Sequence, residues 1–299
     1  MVGFASMKAV IDIGTNSVLL LLGTRGDDGQ VVIERDEARV ARLGQGVAQR
    51  GSLLPEAIDR TVAILEDYRR LADEAGAPIE AVATEGLRLA NNQDAFLSRA
   101  HAALGVPVRL ISGQEEARLS YLSVAREHPD VESMRVIDIG GASTELASGR
   151  GDELDSVVSH KIGSVRLTEA HIRQDPATEE EIRAIEDEAR RALSSQPLSP
   201  SPELYGLAGT VTTTAALLLG LTAYDRERVD GTRWTRAQIE GLRTTLAAES
   251  LEARQKRPCL PAGRADVVVA GLSILLVALD HCGAETLVVR DRGLRYALL

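Results

Sequence analysis

The chain has 299 residues, enough for one large or two medium domains that each bury a core. It is 44% hydrophobic and 26% charged, and its net charge of −10 excludes a general nucleic-acid or membrane-surface binder while leaving room for a locally basic cleft. No apolar run reaches membrane-spanning length without a charge or turn signal, and residues 1–7 lack the basic region of a secretory signal, so a cytoplasmic protein is expected.

The first forty residues read as a meander of strands at 8–12, 18–23 and 31–40, with Asp27-Asp28-Gly29 as a hairpin turn. A helix is predicted from Pro55 to about residue 75, with Ile58, Val62, Leu65 and Ala72 on one face. A strand at 79–84, a helix at 92–104, a strand at 108–111 and a helix at 113–127 follow. The scheme then restarts. Strands are predicted at 135–138, 144–148 and 153–161, and helices at 164–172 and 178–193, the second opened by a Thr178/Glu181 capping box. Residues 194–202 are a polar loop. A strand at 204–207, a helix at 210–219, a long apolar helix at 264–279, a last strand at 287–289 and a terminal helix at 294–299 complete the pattern. Strand-strand-strand-helix-strand-helix, performed twice, gives an α/β protein of two similar halves, 1–125 and 126–299, with a last segment from about 291 that packs back on the first half.

The pentapeptide VIDIG occurs at residues 10–14 and again at 136–140. Each copy is an apolar strand ending in a carboxylate and a glycine. Thr15-Asn16-Ser17 follows the first, and Gly141-Ala142-Ser143-Thr144 the second. Glycine lets the backbone turn tightly and brings N–H groups close to an anion, while hydroxyls and amides add donors. One Asp-x-Gly strand end needs no ligand. Two identical copies with polar followers point to phosphate held by Gly14, Thr15, Asn16 and Ser17 and by Gly140, Gly141, Ala142 and Ser143. The strand-end carboxylate suits a Mg²⁺ or a water.

Three further stretches carry chemistry. In Ile111-Ser112-Gly113-Gln114-Glu115-Glu116, Ser112 is a helix N-cap and Glu115 has the capping-box position, which leaves Glu116 as either a general base or a solvated surface glutamate. Arg88 lies within a turn of the strand ending at Thr84, as either a phosphate clamp or the ion-pair partner of Glu85. Gly209-Thr210 begins a helix after a strand, a geometry that favours anions and also close packing. The three lysines form no Walker A loop. No GxGxxG follows the first strand, and neither a GxSxG elbow nor a histidine set with metal-ligand spacing occurs. Cys259 and Cys282 have no metal-type spacing and are expected as buried free thiols.

With these motifs in order, the chain resembles the Ppx/GppA phosphatases of the actin-like and sugar-kinase-like superfamily. The matching stretches are AVIDIGTNS (9–17), ATEGLR (83–88), ISGQEEARL (111–119), VIDIGGASTEL (136–146), IGSVRLTE (162–169), GTVTT (209–213) and DRGL (291–294). The resemblance implies two actin-like, ribonuclease-H-like domains with an interdomain active-site cleft, as in short bacterial members. It implies release of terminal phosphate from inorganic polyphosphate, or from guanosine penta/tetraphosphate, with Mg²⁺ as cofactor. It also implies Glu116 as catalytic base, Arg88 as phosphate-gripping arginine, and Asp138 and Glu145 as metal- and water-organising acids. A low-turnover guanosine-nucleotide-binding regulator is the reading from another class. Neither a nucleic-acid nor a membrane partner is expected, and the resemblance with the apolar helix at 264–279 suggests a homodimer. One departure stands out: the family's glycine triplet is Gly140-Gly141-Ala142 here, which would cost about 1 kcal/mol if Ala142 took a positive φ.

Overall fold

A computed structural model describes residues 6–26 and 30–299, so the expected turn at Asp27-Asp28-Gly29 lies outside the described residues. The chain divides into two compact units, Met1–Glu116 with Leu294–Leu299, and Ala117–Gly293. The division falls inside a helix, nine residues before the expected 125/126 boundary, and the last six residues belong to the first unit.

Unit 1 contains β1 (Lys8–Ile13), β2 (Ser17–Arg25), β3 (Val31–Val40), α1 (Val47–Arg50), α2 (Pro55–Glu74), β4 (Ile79–Ala83), α3 (Glu85–Arg88), α4 (Gln93–Leu104), β5 (Val108–Leu110) and the first turn of α5 (Gly113–Ala125). Its sheet has the order β3-β2-β1-β4-β5, antiparallel across β1, β2 and β3 and parallel across β1, β4 and β5. Alternation along β1 sorts its side chains. Ala9, Ile11 and Ile13 enter the main core with Leu20, Leu22, Leu65 and Phe96, while Val10 faces the other side against Leu21 and Tyr296. The predicted stripe of α2 is buried at Ile58, Val62, Leu65 and Ala72.

Unit 2 contains the rest of α5, then β6 (Met134–Ile139), β7 (Thr144–Arg150), β8 (Glu153–His160), α6 (Ser164–His171), α7 (Glu179–Leu193), β9 (Glu203–Leu207), α8 (Ala208–Leu218), α9 (Arg226–Val229), β10 (Arg233–Thr235), α10 (Arg236–Ala247), α11 (Leu251–Gln255), α12 (Ala262–Ala265), α13 (Val268–Cys282) and β11 (Thr286–Val289). The short α14 (Leu294–Leu298) follows in unit 1. The second sheet runs β10-β11-β9-β6-β7-β8. Without its edge strand β10 it repeats the order of the first sheet, with β6, β7 and β8 in the places of β1, β2 and β3. The α7 capping box forms as predicted, with Thr178 and Glu181 each accepting from the other's backbone N–H.

Two expectations change here. The apolar helix at 264–279 is two helices, α12 and α13, broken at Asp266-Val267. Residues Val268–Leu279 of α13 lie inside the unit 2 core with Ile137, Leu146 and Leu287, so the apolarity of this helix is used within the unit and gives no argument for a dimer. Both cysteines are free thiols; Cys282 is buried, which pushes its pKa up to about 11, whereas Cys259 is only half-buried rather than buried as expected. No helix among the described residues is long and apolar enough to cross a membrane.

Candidate active site

The two VIDIG copies end in matching turns. Gly14 N–H donates to the Ser17 carbonyl at 2.9 Å, and Gly140 N–H to the Ser143 carbonyl at 3.0 Å. A Cβ on Gly14 would lie 3.2 Å from the Ser17 oxygen, and one on Gly140 3.1 Å from that of Ser143. Glycine is therefore favoured by close approach rather than by left-handed backbone, since neither residue has a positive φ. Ala142 has no positive φ either, so the departure from the glycine triplet carries no backbone penalty.

Each turn is gripped by its carbonyls. In unit 1, Thr15 O accepts from Gly44 N–H at 2.9 Å, and Asn16 O accepts from Ala41 and Arg42 N–H at 3.0 and 2.9 Å. In unit 2, Gly140 O accepts from Ser164 N–H, Gly141 O from Val165 and Arg166 N–H, and Ala142 O from the Arg166 guanidinium, all within 2.9–3.0 Å. A trans peptide holds its N–H opposite its C=O. The N–H groups of Asn16 and Ser17, and those of Gly141, Ala142 and Ser143, therefore face away from the gripping segments. Successive N–H groups on one side of a turn form an anion-binding concavity.

Glycines outside the two turns make room for this. A Cβ on Gly86 would meet Thr15 Oγ1 at 2.4 Å, one on Gly44 would meet Thr15 Cγ2 at 2.4 Å, and one on Gly163 would meet the Gly141 carbonyl at 2.5 Å. Gly86 and Gly163 lie in the sequence motifs, but the turns they serve become apparent only once the chain is folded.

Asp138 and Glu145 are direct cross-strand partners on β6 and β7, so their side chains share one face. The Ser120 hydroxyl donates to Asp138 Oδ2 at 2.8 Å, and the Ser159 hydroxyl to Glu145 Oε1 at 2.7 Å. Glu145 is 2% exposed. Burial pushes the Asp138 pKa up and the Ser120 hydrogen bond opposes it. Two carboxylates side by side repel unless a cation or proton joins them. Among the described residues no three His, Cys, Asp or Glu side chains gather into a protein-only metal cage. This donor set fits Mg²⁺, which is commonly held by one or two carboxylates with waters and substrate phosphates completing its octahedron.

Gly209 and Thr210 adjoin the second turn. Thr210 Oγ1 donates to the carbonyl of Ile139, the residue before Gly140, at 3.3 Å. Arg264, which the sequence reading missed, donates to the Gly209 carbonyl at 3.1 Å and to Thr213 Oγ1 at 2.9 Å. Burial lowers its pKa while Tyr224 and Asp291 work the other way. Ala208, just before Gly209, has φ 67° and marks a strained strand-to-helix turn.

In unit 1, Glu116 sits in the first turn of α5 and is 8% exposed, which removes the solvated-surface reading. Its N–H donates to the Ser112 carbonyl at 2.9 Å, and Ser112 Oγ caps Glu115 N–H at 3.1 Å. The Glu115 carboxylate ion-pairs with Arg109, so the expected capping box is replaced by a one-sided cap and a salt bridge. Arg88 is engaged with Glu85 at 3.0 Å and with the Ile111 carbonyl. The ion-pair reading of Arg88 is thus what the structure holds, and gripping phosphate would require exchange of one anion for another. Gly86 against Thr15 and Arg88 on Ile111 join the first turn, α3 and the start of α5 into one neighbourhood.

Residues 10–299 match the Ppx/GppA phosphatase family. The chain belongs to that family. Exopolyphosphatase 2 of Mycobacterium tuberculosis is 34% identical over 281 residues, covering 89% of this chain and 88% of that protein. The crystal structure of the Aquifex aeolicus Ppx/GppA family member is 36% identical, covers 98% of this chain and 96% of its own, and superposes with a TM-score of 0.82. An exopolyphosphatase-like protein of known structure is 27% identical, with coverage of 98% and 97% and a TM-score of 0.89. This Ppx/GppA protein is accordingly a phosphatase of the actin-like ATPase fold.

Proposed function

We propose that the protein is an exopolyphosphatase that hydrolyses the terminal phosphate of inorganic polyphosphate. The observation that carries this reading is the matched pair of turns, each held by its carbonyls so that its N–H groups face away from the gripping segment. The similarity to exopolyphosphatase 2 supports polyphosphate as the substrate.

The N–H groups of the turns at 14–17 and 140–143 bind phosphate oxygens, and the start of α8 at Gly209-Thr210 adds donors. Arg88 exchanges Glu85 for a phosphate oxygen and clamps it. Asp138 and Glu145 hold Mg²⁺, which when bound supplies charge neutralisation for the transferring phosphoryl group. Ser120 and Ser159 fix the orientation of these two carboxylates. Glu116 accepts a proton from the attacking water and aims that water in line with the terminal phosphorus. Phosphoryl transfer needs positioning and charge stabilisation above all, so no covalent nucleophile is required.

The test is phosphate release from long-chain polyphosphate and from pppGpp in parallel, with Mg²⁺. Faster release from polyphosphate supports the proposal. Preferential conversion of pppGpp to ppGpp replaces polyphosphate with the guanosine substrate. Tight guanosine-nucleotide binding without release from either makes the protein a regulator.

A further inference from the structure

Asp12 and Asp138 hold the same place in two copies of one hairpin, two residues before the turn glycine, yet their surroundings differ. Asp138 stands opposite Glu145 and receives the neutral Ser120 hydroxyl. Asp12 is 9% exposed and stands opposite Leu19. In β1, Val10 and Asp12 share a face by alternation, and that face carries Leu21 and Tyr296. The side chain of Arg295, next to Tyr296 on α14, is 5% exposed. Its guanidinium donates to the Leu20 carbonyl at 3.2 Å and to the Asp36 carboxylate at 2.6 Å, while the Tyr296 hydroxyl donates to the other Asp36 oxygen at 2.6 Å. Leu20 lies between Leu19 and Leu21, the strand partners of Asp12 and Val10, so Arg295 sits over the row that contains Asp12. Burial works against the Arg295 charge, but Asp36 and Asp12 outweigh it and hold its pKa above the usual guanidinium range.

We propose that Arg295 is a positioning residue for phosphate binding: the built-in counter-charge of Asp12, which lets the first turn accept an anion above a buried carboxylate. In the second hairpin an acid pair calls for a divalent cation. In the first, a permanently charged guanidinium from the far end of the chain takes that place. The proposal rests on the reading of 14–17 as a phosphate turn.

The experiment is calorimetric titration of tripolyphosphate with Mg²⁺ into the full chain carrying Glu116→Gln, so that the probe is not hydrolysed. Asp36→Asn with Arg295→Met removes both members of the ion pair without stranding Asp36. The net charge is unchanged, but the lost cation sits on β2 beside the Asp12 row while the lost Asp36 carboxylate lies on β3, one strand further away, so tripolyphosphate affinity is expected to fall roughly tenfold. Adding Asp12→Asn is expected to restore most of the loss, a recovery that a purely structural role would not produce. Arg295→Lys is expected to stay within about threefold, since it keeps the charge. Should the paired variant fail to fold, Asp12→Asn alone is expected to tighten binding, because it removes the carboxylate of the row beneath the turn while Arg295 stays on Asp36. Unchanged affinity in a folded paired variant, or a loss that Asp12→Asn does not restore, overturns the role of Arg295. Unchanged or weaker binding by Asp12→Asn alone also overturns it. A Glu116→Gln protein that binds no tripolyphosphate overturns the phosphate-turn reading as well.

Discussion

Ser120 donates its hydroxyl hydrogen to Asp138 at 2.8 Å, so the second half of α5 reaches the strand-end carboxylate of unit 2 through a neutral donor. Ser123 in turn donates to the Ser120 carbonyl at 2.7 Å. The hydroxyl steers the acid without supplying a counter-charge.

That arrangement predicts a trade of stability for function. The folded pKa of Asp138 is raised by burial, so the cation-free protein is most stable with this acid protonated and loses stability as pH rises through the raised value. Asp138→Asn is expected to raise the melting temperature of the metal-free protein at pH 7. Mg²⁺ is expected to stabilise the parent by roughly 2–3 kcal/mol at a hundredfold excess over Kd, seen as a higher melting temperature, and the variant is expected to lose that gain. Thermal melts with and without Mg²⁺ check both halves.

Gly163→Ala tests the grip on the second turn. Gly163 has φ −153°, which any residue adopts, so the only cost is the contact of its new Cβ with the Gly141 carbonyl at 2.5 Å. Backbone must move, at about 1–3 kcal/mol. Turnover is expected to fall at least tenfold in a protein that still melts cooperatively. Full activity would mean that the turn geometry is not critical.

Ser273→Ala is expected to stabilise. Ser273 is fully buried in α13, and its Oγ has no hydrogen-bond partner among the described residues. Removing an unsatisfied buried hydroxyl gains about 1 kcal/mol, read from urea unfolding, with turnover unchanged.

Acid should weaken the fold through two histidines. Burial lowers the pKa of His128, helped by Arg290, which donates to its Nε2. Burial also lowers that of His160, whose Nε2 meets Gln196 Oε1 at 3.0 Å. Each is neutral in the folded protein where the unfolded chain takes up a proton, so stability is expected to drop as pH falls below about 6.5, by up to about 1.4 kcal/mol per pH unit for each histidine. His128→Gln and His160→Gln should each flatten that slope in denaturant titrations at pH 7, 6 and 5.

The sheets were legible because their central strands are short apolar runs and because VIDIG occurs twice with polar followers. The α7 cap was legible from Thr178 and Glu181 alone. Residues 220–263 were opaque: α9, β10 and α11 are only three to five residues long, although the capping box of Thr235 and Gln238 on the longer α10 was a readable signal. The break between α12 and α13 was hidden because apolar residues continue past it. The carboxylate pair was inferred by resemblance, but its steering by Ser120 depends on where α5 packs. Arg295 beside the Asp12 row joins two ends of the chain, which local pattern does not report. Local sequence allows Arg88 either phosphate or Glu85, and in the structure Glu85 has it.

Glu116 is the proposed base that activates water. The most direct measurement of that role is Mg²⁺-dependent phosphate release from long-chain polyphosphate by the parent and by Glu116→Gln. A loss of a hundredfold or more in turnover with an unchanged melting temperature is expected. Parental turnover in the variant would contradict that role.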